Sequence, residues 1–220
     1  MGEIVRLSLI VSLTAVAIAA AIAIPLAALI SVARFHGRNI LIALIYTGFA
    51  LPPVVVGLFV YMMLSRSGPL GMLDLLFTPT AMILSQTIIS FPYVLGVSLA
   101  AIEAVPTDVV LQARALGASR IRAVYMRIRE AKYGIVASIV AGFGAAISEV
   151  GSVLLVGGNV QGETRVLTGS IMLETRRGNF GPAVSMGLIL LGLVFLVNAG
   201  LMFLSRPAGS GSQRMRQEQL

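Results

Sequence analysis

The sequence predicts an all-α integral membrane protein with five transmembrane helices, and two observations support this prediction. Of the 220 residues, 57% are hydrophobic and only 11% are charged, whereas about a quarter of the residues in an ordinary soluble domain are charged. Too few polar residues remain to cover the outside of a soluble domain of this size. In addition, five apolar runs reach the length of about 20 residues that a helix needs to cross a bilayer.

The apolar runs are separated by short polar segments, and prolines lie within three of them. The predicted spans are residues 7–33, 41–64, 80–102, 135–156 and 183–204. Pro25 lies in the first span, Pro52 and Pro53 lie in the second, and Pro92 lies in the third. Because proline removes a backbone hydrogen bond from a helix, we expect these prolines to bend the spans that contain them.

The placement of basic residues predicts the orientation. An N-terminus outside and a C-terminus in the cytoplasm put eleven of the sixteen basic residues on the cytoplasmic side, as the positive-inside rule requires. These eleven are Arg34, Arg38, Arg114, Arg120, Arg122, Arg127, Arg129, Lys132, Arg206, Arg214 and Arg216. We expect residues 1–206 to form one transmembrane domain in the cell inner membrane. The polar, Gly/Ser-rich residues 207–220 are expected to form a flexible cytoplasmic tail.

Composition also narrows the classes of function. The net charge of +7 comes from basic residues that lie in short segments between apolar runs, a pattern that suits an anionic membrane leaflet or an acidic protein partner rather than nucleic acid. The sequence has no cysteine, and its only histidine, His36, has no metal-ligating neighbours. It has no phosphate-binding loop of the G-x-x-x-x-G-K-[ST] type. We therefore expect no cofactor, no metal and no catalytic residue, and any ATP hydrolysis would belong to another chain.

A charged stretch between the third and fourth spans, residues 103–133, has the pattern of two helices joined by a turn. Thr107 is predicted to cap a helix over residues 108–116, Gly117 to end it in a left-handed conformation, and Ser119 to cap the second helix. One face of the first helix is apolar: it carries Val109, Val110, Ala113 and Leu116. A loop that only anchors to lipid headgroups is the alternative, but the apolar face favours docking onto a protein partner.

The sequence around this glycine resembles a known loop. Ala113 is followed by Leu116-Gly117-Ala118-Ser119-Arg120 and then by Ile128, a pattern that resembles the EAA loop of permease subunits in ABC importers. In that family the first helix of the loop is a coupling helix that sits in a groove of the ATP-hydrolysing subunit. The resemblance thus implies the type I ABC importer permease fold, with a cytoplasmic coupling-helix loop. The residues it assigns to ATPase coupling are Ala113, Arg114, Leu116, Gly117, Ala118, Ser119 and Arg120.

Two other segments resemble oxyanion permeases of the molybdate and tungstate type. These are LPPVVVGL at residues 51–58 and SGPLG at residues 67–71. Residues 148–158, followed by Asn159, Thr164-Arg165 and LET at 173–175, look most like the tungstate branch. The resemblance implies a tungstate permease, with molybdate or sulfate as the alternative. It also implies a homodimer that works with an ATP-binding subunit and an extracytoplasmic oxyanion-binding protein.

The candidate residues for the translocation path or its gate are Ser148, Glu149, Asn159, Thr164 and Arg165. Glu149 is the only acidic residue inside a predicted span, where an unpaired carboxylate is costly. It either lies on the path or its gate, or forms a structural hydrogen bond between helices. The outer segment 157–181 is expected to contain a short interfacial or re-entrant helix. That segment either docks a binding protein and gates the path, or rests on the membrane.

Two other classes of function remain to be distinguished from a permease subunit. A secondary transporter or channel would need its own coupling-ion site or selectivity filter, and usually internal repeats, and only Glu149 could serve. An intramembrane enzyme acting on lipid would need polar residues clustered at one depth, which the spans lack.

Overall fold

A computed structural model describes residues 1–33 and 35–205, without the side chains of residues 120, 204 and 205. All regular secondary structure in these residues is helical, which confirms the predicted all-α class. Arg34, Arg206 and the predicted tail 207–220 lie outside the described residues. The helices are α1 (Gly2–Val32), α2 (Arg38–Thr47), α3 (Pro53–Leu64), α4 (Pro79–Glu103), α5 (Thr107–Ala115), α6 (Arg120–Glu130), α7 (Lys132–Ile147), α8 (Gly151–Gly157), α9 (Leu167–Arg176) and α10 (Phe180–Ser205).

Three of these helices, α1, α4 and α10, are each long and apolar enough to cross a membrane alone. Two further crossings are available if each of two bent helix pairs counts as one span. The helices of the first pair, α2 with its 3₁₀ extension to Ala50 and then α3, meet at 96°. The helices of the second pair, α6 and α7, meet at 65°. The described residues therefore provide up to five spans, two of them bent.

The predicted second span over residues 41–64 is bent at Pro52 and Pro53, as the sequence predicts, and the bend is large enough to divide it into two helices. The α2 segment ends in a 3₁₀ turn, Leu51 and Pro52 are extended, and α3 begins at Pro53. The cause is the proline pair: a residue that precedes proline is driven out of the helical region, and a proline is well placed in the first turn of a new helix. Pro25 and Pro92, in contrast, lie inside the continuous helices α1 and α4.

The predicted fourth span over residues 135–156 is also divided. Helix α7 ends at Ile147, and α8 starts at Gly151. The three residues between them, 148–150, form a break that contains Glu149. Glu149 therefore lies between two helices and not within one. Its side chain accepts a hydrogen bond from the first turn of α8.

The core lies along α4, which packs against α1, α7, α8 and α3. Helix α1 turns a fully buried alanine stripe into this core: Ala15, Ala19, Ala23 and Ala27. Small residues let membrane helices approach closely. The α3–α8 contact is equally tight, since a Cβ added to Gly57 would lie 2.5 Å from the Cα of Ser152. Helix α10 lies at the edge, against α9 and α7, with most of its apolar side chains exposed.

Candidate functional site

The α5–α6 region is a helix, a turn and a second helix, as the sequence predicts, but the first cap differs. The N-cap of α5 is Pro106, and Thr107 is already helical and makes no capping hydrogen bond with its side chain. Proline has no N–H to donate, but its carbonyl can still accept a hydrogen bond from the helix. Here the Pro106 carbonyl accepts from the Val109 N–H at 3.2 Å. Asp108 lies in the first turn, where a negative charge is favourable.

Gly117 ends α5 in the left-handed conformation, with φ +86°, as predicted. The Ala118 N–H donates to the Ala113 carbonyl at 3.0 Å, and the Gly117 N–H donates to the Arg114 carbonyl at 3.0 Å. These two bonds form a Schellman motif, which satisfies carbonyls that the end of α5 would leave unpaired. Ser119 then caps α6, because its Oγ accepts from the Arg122 N–H at 3.3 Å. The turn thus fixes the angle between the two helices.

The apolar face predicted for α5 serves the protein's own core more than a partner. Ala113 is buried, and Val109 and Val110 are half-buried; Val109 packs against the cluster that α1 and α4 form. Leu116 instead points outward and is 89% exposed. Three more apolar side chains of the platform are exposed and were not predicted: Leu111 on α5, and Ile121 and Tyr125 at helical spacing on α6.

Leu116 and Tyr125 line a depression at the turn, with a volume of about 350 Å³. Its lining residues are Ala113, Leu116, Gly117, Ala118, Arg122, Tyr125 and Met126. Four of the seven predicted coupling residues therefore surround one concave surface. Arg114 and Ser119 lie beside it on exposed positions, and the side chain of Arg120 lies outside the described part of the chain.

The platform formed by α5 and α6 is tied to the membrane helices by residues that the sequence analysis did not single out. The Nη2 group of Arg127 donates to the carbonyls of Glu103 and Val105, at 3.3 and 3.4 Å, at the end of α4. The carboxylate of Glu103 pairs with Arg38 at the start of α2. One junction therefore joins α2, α4 and α6. In the sequence, this junction is visible only as one glutamate and two arginines at distant positions.

At the other end of the molecule, Glu149 is 9% exposed and bonded on two sides. Its Oε1 accepts from the Ser152 N–H at 2.8 Å, and its backbone carbonyl accepts from the Thr168 hydroxyl at 3.0 Å. Glu149 thus connects the α7–α8 break to α9. Within the described residues its carboxylate has no ion-pair partner. Ser148 is exposed, and its hydroxyl donates back to the Gly144 carbonyl at 2.7 Å.

The other predicted gate residues hold the loop between α8 and α9. The Thr164 hydroxyl is buried, donates to the Gly157 carbonyl, and accepts from the Val160 N–H at 2.9 Å. The Arg165 Nη2 donates to the Asn159 carbonyl at 3.3 Å. The Asn159 Nδ2 donates to the Gly169 carbonyl at 3.4 Å. We call Glu149, Asn159, Thr164, Arg165 and Thr168 the outer polar cluster.

Helix α9 is the short helix that the sequence predicts for this segment, and it links the members of the outer polar cluster. Two consecutive residues of α9, Thr168 and Gly169, contact Glu149 and Asn159 respectively. The structure thereby brings four of the five predicted gate residues into one hydrogen-bonded unit and leaves Ser148 outside it. Among the described residues, no group of three or more His, Asp or Glu side chains could hold a metal ion.

The chain is similar to known transport proteins over most of its length. Residues 23–206 match the family model described as the inner membrane component of binding-protein-dependent transport systems. A probable anion ABC transporter permease protein of Haloferax volcanii is 47% identical, over 94% of this chain and 92% of its own. The tungstate uptake system permease protein of Peptoclostridium acidaminophilum is 40% identical, over 89% of this chain and 86% of its own. The molybdenum transport system permease protein of Escherichia coli K12 is 28% identical, over 82% of this chain and 83% of its own.

Proposed function

Because this chain belongs to the family of inner membrane components of binding-protein-dependent transport systems, we propose that it is the permease subunit of an ATP-driven importer whose substrate is tungstate. The observation that supports the substrate most directly is the 40% identity with a tungstate uptake permease across most of both chains. A probable anion permease is similar at 47% identity. Both similarities extend over the platform of α5 and α6, which we call the coupling platform, and over the outer polar cluster.

In this proposal two copies of the chain form the membrane part of the importer. Two ATP-binding subunits bind on the cytoplasmic side, and an oxyanion-binding protein docks on the outer side. The N-terminus lies outside and the C-terminus lies in the cytoplasm, since this orientation gives the cytoplasm most of the basic residues. Hydrolysis of ATP occurs in the partner subunits, and this chain carries out no covalent chemistry.

The coupling platform receives the movement of the ATP-binding subunit at its exposed apolar turn. Leu116 and Ile121 are 89% and 83% exposed, and exposed apolar side chains around a concavity are typical of a docking site. Arg127 joins α6 to the end of α4, so a displacement of the turn acts on the helix at the centre of the core. The exposed basic residues Arg114 and Arg122 add positive charge around the same surface.

The outer polar cluster controls the outer end of the translocation path. Its hydrogen bonds join the α7–α8 break, the following loop and α9 into one unit. Such a unit moves as one body when α7 is displaced. Its movement opens or closes the outer end of the path. Glu149 holds the gate together through its contacts, while a carboxylate is a poor direct ligand for an oxyanion.

Molybdate or sulfate is the alternative substrate. The molybdenum permease of Escherichia coli is 28% identical over most of both chains, and a sulfate permease of Synechococcus elongatus is 27% identical over 75% of this chain. A secondary transporter or channel is the alternative of a different class, and it would work without an ATP-binding subunit.

The test is uptake by proteoliposomes that contain this chain, its ATP-binding subunit and its binding protein. We expect ATP-dependent uptake of labelled tungstate that a tenfold excess of unlabelled sulfate does not reduce. Uptake that molybdate or sulfate supports better than tungstate would reassign the substrate. The chain alone should give no anion flux, and ATP-independent flux from the chain alone would support a channel instead.

A further inference from the structure

A second concave surface of the platform lies towards the C-terminal end of α6, and it shares Met126 with the depression at the Gly117 turn. It has a volume of about 440 Å³, within the range of about 300–1,000 Å³ typical of small-molecule sites. Its lining residues are Val109, Met126, Arg129, Glu130, Lys132 and Tyr133. We call it the corner pocket, because it lies where α6 and α7 meet at 65°.

The level of the corner pocket relative to the membrane follows from its position in the chain. Lys132 is the first residue of α7, and the buried residue Ile135 follows within one turn. Tyr133 lies between the charged residues and the apolar run, the position that tyrosine favours at a membrane–water interface. The corner pocket therefore lies at the level of the lipid headgroups. Because α6 has 11 residues, its two ends are about 15 Å apart, and Met126 between them lines both this pocket and the depression at the Gly117 turn.

The charges in the corner pocket are not used within the described chain. Its ion pairs, in the residues that the structure describes, are Arg38–Glu103 and Arg177–Glu174. Arg129 and Lys132 take part in neither pair, and both are exposed. The Lys132 Nζ lies 4.9 Å from the centre of the Tyr133 ring, so that this ammonium is held at the pocket. Two cations against one carboxylate, Glu130, leave a net positive charge.

We propose that the corner pocket binds the headgroup of one anionic phospholipid. Arg129 and Lys132 bind the phosphate, since arginine and lysine are the phosphate-binding side chains of proteins. Val109 and Met126 provide an apolar wall for the glycerol and the first methylene groups. A lipid suits the site better than an acidic protein segment, because the pocket lies where the charged helix α6 ends and the apolar run of α7 begins. The bound lipid would hold the end of α6 at the membrane surface while its other end moves.

Glu130 distinguishes this proposal from binding of a zwitterionic lipid. With an anionic lipid, the carboxylate repels the ligand, so Glu130→Gln strengthens binding. With phosphatidylethanolamine, the carboxylate would bind the ammonium group, and the same substitution would weaken binding. A single substitution therefore has opposite effects for the two kinds of lipid.

The experiment is native mass spectrometry of the purified transporter complex in detergent, titrated with phosphatidylglycerol. We expect one saturable adduct per copy of this chain. Arg129→Gln with Lys132→Gln should weaken it by about 25-fold, since each cation near the surface contributes a factor of about five. The matched control is Arg66→Gln with Arg176→Gln, which removes the same charge from exposed sites elsewhere and should leave the adduct unchanged. Glu130→Gln should strengthen the adduct.

Four outcomes would overturn the proposal. They are an adduct that survives the double substitution, an adduct that the control variant weakens equally, a weaker adduct in Glu130→Gln, and displacement of the lipid by equimolar glycerol 3-phosphate. The last outcome would identify a site for soluble anions. If the double variant instead retains its lipid but loses the ATP-binding subunit, the pocket is a protein contact. If the double variant does not fold, the response of Glu130→Gln decides alone.

Discussion

Replacement of Gly117 by valine tests the coupling platform without disturbing the membrane core. Gly117 is exposed, and a Cβ added to it would meet no atom within 4 Å. The cost of a side chain therefore comes from the backbone alone. At φ +86° an L-residue is destabilised by about 1–2 kcal/mol, and a β-branched residue by more. This shifts the equilibrium away from the native turn by about 5- to 30-fold.

We expect Gly117→Val to insert in the membrane and assemble normally but to separate ATP hydrolysis from transport. The assay compares tungstate uptake with binding-protein-stimulated ATPase activity in proteoliposomes. Gly117→Asn should retain more coupling, because asparagine tolerates the left-handed region. Gly37→Val is the matched control, since Gly37 is also exposed, has φ +92° and has no atom within 4 Å of its added Cβ. Coupled transport in Gly117→Val, or equal damage from Gly37→Val, would refute the assignment.

Three further predictions concern the outer polar cluster and the helix contacts. Glu149→Gln keeps an oxygen that can accept from the Ser152 N–H, so we expect the melting temperature of the complex to change little. We expect tungstate uptake to fall. A variant that only fails to assemble would favour a structural role. Thr164→Val removes the hydroxyl that bonds the buried Gly157 carbonyl and the partly buried Val160 N–H. It should destabilise the protein by about 1–3 kcal/mol, measured as a lower melting temperature, whereas an equal melting temperature would contradict the described contacts. Gly57→Leu should prevent α3 and α8 from packing and reduce the yield of folded protein, whereas Gly192→Leu, with open space at its Cβ, should not; equal yields would argue against the α3–α8 contact.

The sequence predicted the helical type of the main elements because the bilayer constrains it strongly. An apolar run of about 20 residues has few alternatives to a membrane helix. It also predicted the turn at Gly117 and the cap at Ser119, since both depend on short-range hydrogen bonds that the residue types specify. Orientation, oligomeric state and the role of Glu149 stay predictions.

The proline pair predicts the bend in the second span, but the break between α7 and α8 and the different outcomes at different prolines could not be read from the sequence. A proline inside an apolar run is compatible with an uninterrupted helix, as at Pro92, and with a break, as at Pro53. The outcome depends on whether neighbouring helices can bury the altered backbone, which is a tertiary property. The same holds for the junction of Arg127 with Glu103, which are 24 positions apart, because the residues between them carry no sign of that contact.

The alanine stripe of α1 has a consequence for how the protein is made. Its packing partner α4 begins at Pro79, 47 residues after α1 ends at Val32. At about 5–20 residues per second, the ribosome needs roughly 2–9 s to synthesise that interval. During this time α1 resides in the bilayer with Ala15, Ala19, Ala23 and Ala27 facing lipid or the insertion machinery. The surface that later packs against α4 is therefore available to other nascent helices until α4 is made.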